Sequence, residues 1–199
     1  MTVPDLVFIP SFLFCAFLLL RLAFLAIRGR WTKCRGTALT LILFVAAYAV
    51  ALVGLALLTP RRELAPGQRK CYDDWCIAAS GVEQQPTAAL CPGAATVWVA
   101  TLDVASVARR VQQRAPDTTV ELEDATGKRY PPCQLAGLKT IRDLIGPGQS
   151  ISASLPFALP AGARPVGFVV HHGAFPGLII AGDDQSWLHD PTLLRIAVR

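Results

Sequence analysis

The chain has 199 residues, 53% of them hydrophobic, with a mean hydropathy of +0.44, a formal net charge of +5 and six cysteines. So apolar a composition excludes a single ordinary soluble domain and directs attention to runs long enough to cross a bilayer. The charge is not a nucleic-acid footprint: residues 1–60 carry +4 and 61–70 carry +3, whereas 71–199 carry −2, so the basic character flanks the apolar runs.

Residues 6–27 form the first apolar run, broken only by Pro10, Ser11, Cys15 and Arg21, and residues 38–58 form the second, without a charge. At about 1.5 Å per helical residue each is long enough for a hydrocarbon core of roughly 30 Å. The first run has no positively charged leader and no small-residue cleavage site before Arg28-Gly29-Arg30, so it reads as a retained span and not as a signal peptide. Arg21 sits six residues inside Ile27, close enough to the helix end for its guanidinium to snorkel to the interface. An intramembrane arginine is also a candidate contact to a membrane partner, as in a subunit of a transport complex.

The connection 28–36 carries Arg28, Arg30, Lys33 and Arg35, which the positive-inside rule assigns to the cytoplasm. Residues 61–70 carry four basic residues too, but the N-terminal tail has none, and long C-terminal domains translocate largely regardless of charge. The expected topology is a multi-pass membrane protein with N-terminus and C-terminal domain extracytoplasmic. Cysteine usage agrees: Cys71, Cys76, Cys91 and Cys133 fall in the C-terminal part, an even number suited to an oxidising compartment such as a periplasm.

Residues 1–59 are thus expected to be a transmembrane helical hairpin, 60–70 a linker rich in charges and turn formers, and 71–199 a β-domain. Period-two, β-branched patterns place strands at 75–82, 96–106, 118–123, 150–159, 166–171, 178–181 and 193–198. About seven short strands separated by Gly, Pro and Asp turns predict an all-β sandwich. The weak helical stretch 134–145 contains Gly137 and ends at Gly146. Residues 123–128 read as a hairpin turn with Gly127 at positive φ. Ile151, Ala153, Leu155 and Phe157 share one strand face, and Pro156 marks that strand as an edge or a bulge.

The segments Leu-Glu-Asp-Ala-Thr-Gly-Lys-Arg-Tyr (122–130), Gly-Pro-Gly-Gln-Ser (146–150) and Leu-Pro-Phe-Ala-Leu-Pro-Ala-Gly-Ala-Arg-Pro-Val-Gly-Phe-Val-Val (155–170) occur in that order. They resemble the telokin-like, immunoglobulin-like extracytoplasmic domains of bacterial envelope proteins. The opening Cys-Tyr-Asp-Asp-Trp-Cys (71–76) and the closing stretch 179–192 are similar to a membrane-anchored subset of that family. The resemblance implies an immunoglobulin-like sandwich behind two transmembrane helices, and no catalytic residues.

Cys71 and Cys76 would face opposite sides of a straight strand, so a disulfide between them requires a tight turn over Tyr72 to Trp75, for which Asp73-Asp74 is suitable. The favoured pairing is 71 with 76 and 91 with 133, the latter two lying in Pro-rich loops. A redox pair would instead want Cys-x-x-Cys at a helix N-terminus. A metal site could recruit Asp73, Asp74, His171, His172, Asp183, Asp184, His189 and Asp190, with Asp73, Asp74, His171 and His189 the foremost set. Adjacent His171 and His172 cannot both face one site on a strand. Arg109, Arg110 and Arg114 are candidates for an anionic partner, and Trp187, alone in a polar segment, for a contact surface. Trp75, Trp98 and Phe168 read as core. Neither a Gly-x-Ser-x-Gly elbow nor a phosphate loop is present.

The sequence therefore predicts a non-enzymatic, membrane-anchored β-sandwich that binds or scaffolds another envelope or membrane protein. It calls for the lipid bilayer as a partner, no cofactor and no nucleic acid. The alternative is an envelope metal-binding or thiol-redox accessory protein using the Cys71–Cys76 loop.

Overall fold

The computed structural model describes residues 3–72, 74–85, 90–92, 94, 96–134, 136–173, 177–181 and 183–197. The chain divides into two compact units, residues 1–60 with 174–190, and residues 61–173 with 191–199.

The first unit is built on α1 (Val3–Ile27) and α2 (Trp31–Leu58), two helices long and apolar enough to cross a membrane. They pair as a hairpin: Phe14 meets Phe44 edge-on at 4.9 Å, and the Cys34 thiol lies 3.8 Å from the Leu22 carbonyl. Their remaining faces are exposed Leu, Phe, Val and Ile, a surface that water does not favour. Arg21 is exposed on α1. The excursion 177–190 belongs to this unit, and within it Tyr48 on α2 donates a 2.7 Å hydrogen bond to the Ile179 carbonyl. The strand expected at 178–181 does not form. Gly177–Ile179 is a 3₁₀ turn whose Leu178 carbonyl accepts from the Trp187 N–H, so an apolar run without sheet partners closes on itself.

The second unit is a sandwich of nine strands in two sheets: β1 (Glu63–Leu64), β2 (Lys70–Tyr72), β3 (Trp75–Gln85), β4 (Thr96–Ser106), β5 (Thr118–Asp124), β6 (Arg129–Tyr130), β7 (Ser150–Leu159), β8 (Pro165–His172) and β9 (Leu193–Arg195). One sheet runs β1-β9-β8-β5-β6 and the other β2-β3-β4-β7. The expectation of about seven strands needs correcting, and the sandwich is not specifically immunoglobulin-like. β1 pairs parallel to β9, which makes the first sheet mixed, and both β1 and Lys70 lie in the stretch read as linker. A two-residue strand carries no period. β1 forms because Leu193 donates its N–H to the Arg62 carbonyl and Glu63 pairs with Arg195 at 2.8 Å.

Strands β4 and β7 have the bounds their patterns predict, and Ala153, Leu155 and Phe157 are buried on one face of β7. β7 is the edge expected from Pro156, continued only by a bridge from Pro132 to Phe157. The helical stretch shortens to α3 (Ala136–Ile141), which covers that edge. α3 comes so close that a Cβ on Gly137 would collide with the Ser154 carbonyl oxygen. Between the sheets Phe157 packs on Phe168 at 5.8 Å, both fully buried among Ile77, Leu102, Leu122 and Leu155. Side chains of this size stabilise by about 1.5–3 kcal/mol each on burial.

Candidate functional site

The Cys71–Cys76 bond closes the β2–β3 hairpin. Cys71 and Cys76 are register partners with Cα atoms 3.9 Å apart, and Tyr72 pairs with Trp75 next to them. Cys91 is joined to Cys133, 42 residues on, and Cys15 and Cys34 are free. With both C-terminal pairs bonded as disulfides, neither presents a thiolate as a metal ligand. Trp75 stacks on Tyr72 at 4.6 Å, and His172 meets Trp75 edge-on at 5.0 Å. The His172 Nδ1 lies 2.9 Å from the Pro116 carbonyl and the Tyr72 hydroxyl donates to the Val170 carbonyl, so the staple sits beside a packed aromatic cluster.

His171 takes the opposite face, with Nε2 3.6 Å from a Glu121 carboxylate oxygen. Asp74 accepts from the Gln113 side chain at 3.2 Å, His189 belongs to the helical unit, and Asp73 lies outside the described residues. No group of three or more His, Cys, Asp or Glu able to hold a metal ion occurs among the described residues. Trp187 is 57% exposed in the helical unit, beside Leu188.

The three candidate arginines converge with residues the sequence reading missed. Beyond β4 the chain turns through Arg109, Arg110 and Arg114, all exposed and in no ion pair among the described residues. Gln113 and Ile145 exchange two backbone hydrogen bonds of 2.9 and 2.7 Å, which tie this segment to the one carrying Leu144. Val107, Val111 and Leu144 are the sandwich unit's only large hydrophobic side chains that stand exposed among the described residues, and all three lie at this corner. Leu144 was invisible to pattern reading because a single Leu before Ile-Gly-Pro carries no period.

At the other end of β4 the two sheets part to form a cleft of about 570 Å³ lined by Gln84, Thr96, Trp98, Ala125, residues 162–164, Pro165 and Val166. Trp98 pairs across to Gln84 on β3 and to Phe157 on β7, which places its indole on the inner face. Its Nε1–H is buried and finds no acceptor.

A carboxylate pair braces the adjoining β5–β6 hairpin. Glu123 is 3% exposed; its Oε1 accepts from Arg61 Nη1 at 2.5 Å and its Oε2 from Arg61 Nη2 at 2.7 Å and Arg129 Nε at 3.0 Å. Burial pushes this carboxyl up, but the two guanidinium groups outweigh it and hold the pKa below the usual carboxylate range. Asp124 accepts from the Thr126 hydroxyl and N–H, the Lys128 N–H and the Tyr130 hydroxyl, and the Thr126 hydroxyl above all brings its pKa down to about 2. Burial and the Asp124 carboxylate push the Tyr130 phenol up. Gly127 takes φ +82° in the turn, as expected.

No family model matches the chain, and no curated protein matches it. Among solved structures it is similar to the secreted protein MPT63 of Mycobacterium tuberculosis, with 17% identity and a TM-score of 0.48 over 69% of this chain and 98% of that one. It is also similar to an uncharacterized β-sandwich protein of Clostridium difficile (9%, 0.40, 70% and 96%) and to the yjhA protein of Bacillus subtilis (9%, 0.41, 68% and 99%). These likenesses concern the β-sandwich fold alone.

Proposed function

We infer that the chain is a membrane-anchored, extracytoplasmic binding module, non-enzymatic, that holds another envelope or membrane protein through the corner formed by residues 107–114 and Leu144. The observation that carries this reading is that corner: Arg109, Arg110 and Arg114, in no ion pair among the described residues, stand in the same segment as Val107 and Val111, which with Leu144 are the sandwich unit's exposed large apolar side chains among the described residues. Apolar centres rimmed by arginine are the composition of partner-binding patches. The two apolar helices support the anchor, with the lipid bilayer as their partner. The positive charge of residues 28–36 and the oxidised C-terminal cysteines support an extracytoplasmic face.

A photo-crosslinking side chain placed at position 111 in cells of the source organism is expected to give one discrete adduct that is absent with the same side chain at exposed position 83. The adduct should fade when Arg109, Arg110 and Arg114 are changed to Ala. In the same cells Cys34 should react only with membrane-permeant alkylating reagents. Equal adducts at 111 and 83, or none, would sink the binding reading; Cys34 labelling by impermeant reagents would sink the topology.

A further inference from the structure

We propose that residues 177–188 form a second membrane element of the chain, with Leu178, Ile179, Trp187 and Leu188 inserted into the bilayer leaflet nearest the C-terminal end of α2. The inference rests on the reading of α1 and α2 as a bilayer anchor, to which it adds a surface outside the two apolar runs. Those four side chains are 36–57% exposed. Asp183, Asp184, Gln185 and His189 are half-buried and Ser186 is buried, while Asp190 is exposed where the chain leaves for β9. A turn that faces water sorts its side chains the other way, and large apolar groups exposed together mark a contact with another apolar phase. The Trp187 N–H donates to the Leu178 carbonyl at 3.0 Å, which brings the two halves of the patch together.

Where the patch is held says what covers it. The Tyr48 hydroxyl donates to the Ile179 carbonyl at 2.7 Å, and Tyr48 is the midpoint of the uncharged run 38–58. Leu58 lies about 15 Å further along the helix axis, and a tyrosine side chain reaches less than half that distance. The segment therefore lies alongside the part of α2 that is long and apolar enough for hydrocarbon. α2 exposes Val45, Val50 and Leu55 over the same stretch, so the phase that bathes the helix bathes the segment as well. Backbone at such a depth has to satisfy its own polar groups. Here the N–H groups of Ile180, Asp183, Ser186 and His189 donate to the carbonyls of Gly177, Ile180, Asp183 and Ser186, and the Gln185 N–H donates to the Asp183 carboxylate. Trp187 suits the level of the headgroups, where indoles of membrane proteins concentrate. Carboxylates are costly in hydrocarbon, so the half-buried acids fall on the headgroup side and the four apolar side chains on the acyl side.

The test uses the full chain in nanodiscs of phosphatidylcholine and phosphatidylglycerol, with Cys15→Ala and Cys34→Ala so that one added cysteine carries a nitroxide. Leu178→Cys and Leu188→Cys report on the segment, Ile42→Cys on α2 and Glu83→Cys on the sandwich, all at exposed positions. Power-saturation EPR compares collisions of each label with oxygen, which concentrates in lipid, and with a water-soluble nickel chelate. The labels at 178 and 188 are expected to lose collisions with the chelate and gain them with oxygen, as the label at 42 does, while the label at 83 stays open to the chelate. With the native side chains in place, phospholipids brominated near the headgroup should quench the tryptophan emission that Trp187→Phe removes. Chelate access at 178 and 188 equal to that at 83, with 42 shielded, overturns the insertion and leaves the anchor standing. Chelate access at 42 as well overturns both. Exclusion of both reagents from 178 and 188 assigns the patch to a protein contact and overturns the inference, as does Trp187 emission that the brominated lipid leaves unchanged. None of these results bears on cross-linking at position 111, which probes the sandwich.

Discussion

Replacing Glu123 with Gln preserves shape and removes the charge that Arg61 and Arg129 share. The wild-type carboxylate accepts three charge-assisted bonds, two from Arg61 and one from Arg129, and is 3% exposed. A glutamine has one acceptor oxygen and turns its amide N–H₂ toward a guanidinium donor, so at least one of these bonds is lost. A hydrogen bond to a charged group is worth roughly 1.5–3 kcal/mol. The arginine side chains are 19% and 30% exposed, so water takes over part of their lost contact and the loss belongs toward the lower half of the summed range. We expect the sandwich to lose about 2–3 kcal/mol, read by urea unfolding of the detergent-solubilised chain through tryptophan fluorescence, with an unchanged m-value. The pH profile gives a second reading. Because the folded-state pKa of Glu123 lies below its unfolded value, the carboxylate stabilises fully above that unfolded value, near 4.5, and this contribution disappears as pH falls through the folded value. Glu123→Gln should therefore be less stable at pH 7 and show a shallower acid limb. A loss below about 0.5 kcal/mol at pH 7, with the acid limb intact, would refute the reasoning and mean that the brace contributes nothing net, as some buried ion pairs do.

Asp124 provides a parallel test: its folded pKa of about 2 lies under the unfolded 3.8, so its stabilisation is complete above pH 3.8 and is lost as pH falls toward 2. Tyr130→Phe removes one of its donors and should raise the Asp124 pKa, followed by carboxyl NMR titration. The two disulfides should differ in weight. On chain-entropy grounds, the loop of sequence separation 5 contributes about 2 kcal/mol and that of 42 about 4 kcal/mol, so Cys91→Ser with Cys133→Ser should lower the urea midpoint about twice as far as Cys71→Ser with Cys76→Ser. Gly137→Ala adds a methyl against the Ser154 carbonyl and the Leu155 side chain, an overpacking of about 1–3 kcal/mol offset by roughly 1 kcal/mol of helix propensity. Calorimetry should find the Tm lowered, and a raised Tm would mean that α3 shifts outward at little cost.

The parts of this molecule set by local rules were legible in its sequence. The length and apolarity of α1 and α2, the alternation along β4 and β7, the edge position enforced by Pro156 and the positive φ of Gly127 each follow from one residue type or one period. The disulfide pairing found, 71 with 76 and 91 with 133, is the one favoured among the three that four cysteines allow, but the sequence by itself left the connectivity open. What tertiary structure alone decided is what depends on neighbours distant in sequence. β1 exists only because β9 comes back 130 residues later to pair with it, and 177–181 stayed out of the sheet because the helical unit, not a strand, takes it up. The arginine corner was half legible, since Arg109, Arg110 and Arg114 stand together in sequence, while Leu144 joins them only through the backbone bridge at Gln113 and Ile145. The cleft was not legible at all: Trp98 carries the alternation of any core residue, and only the approach of the turn into β8 to the ends of β3 and β4 shapes the cleft.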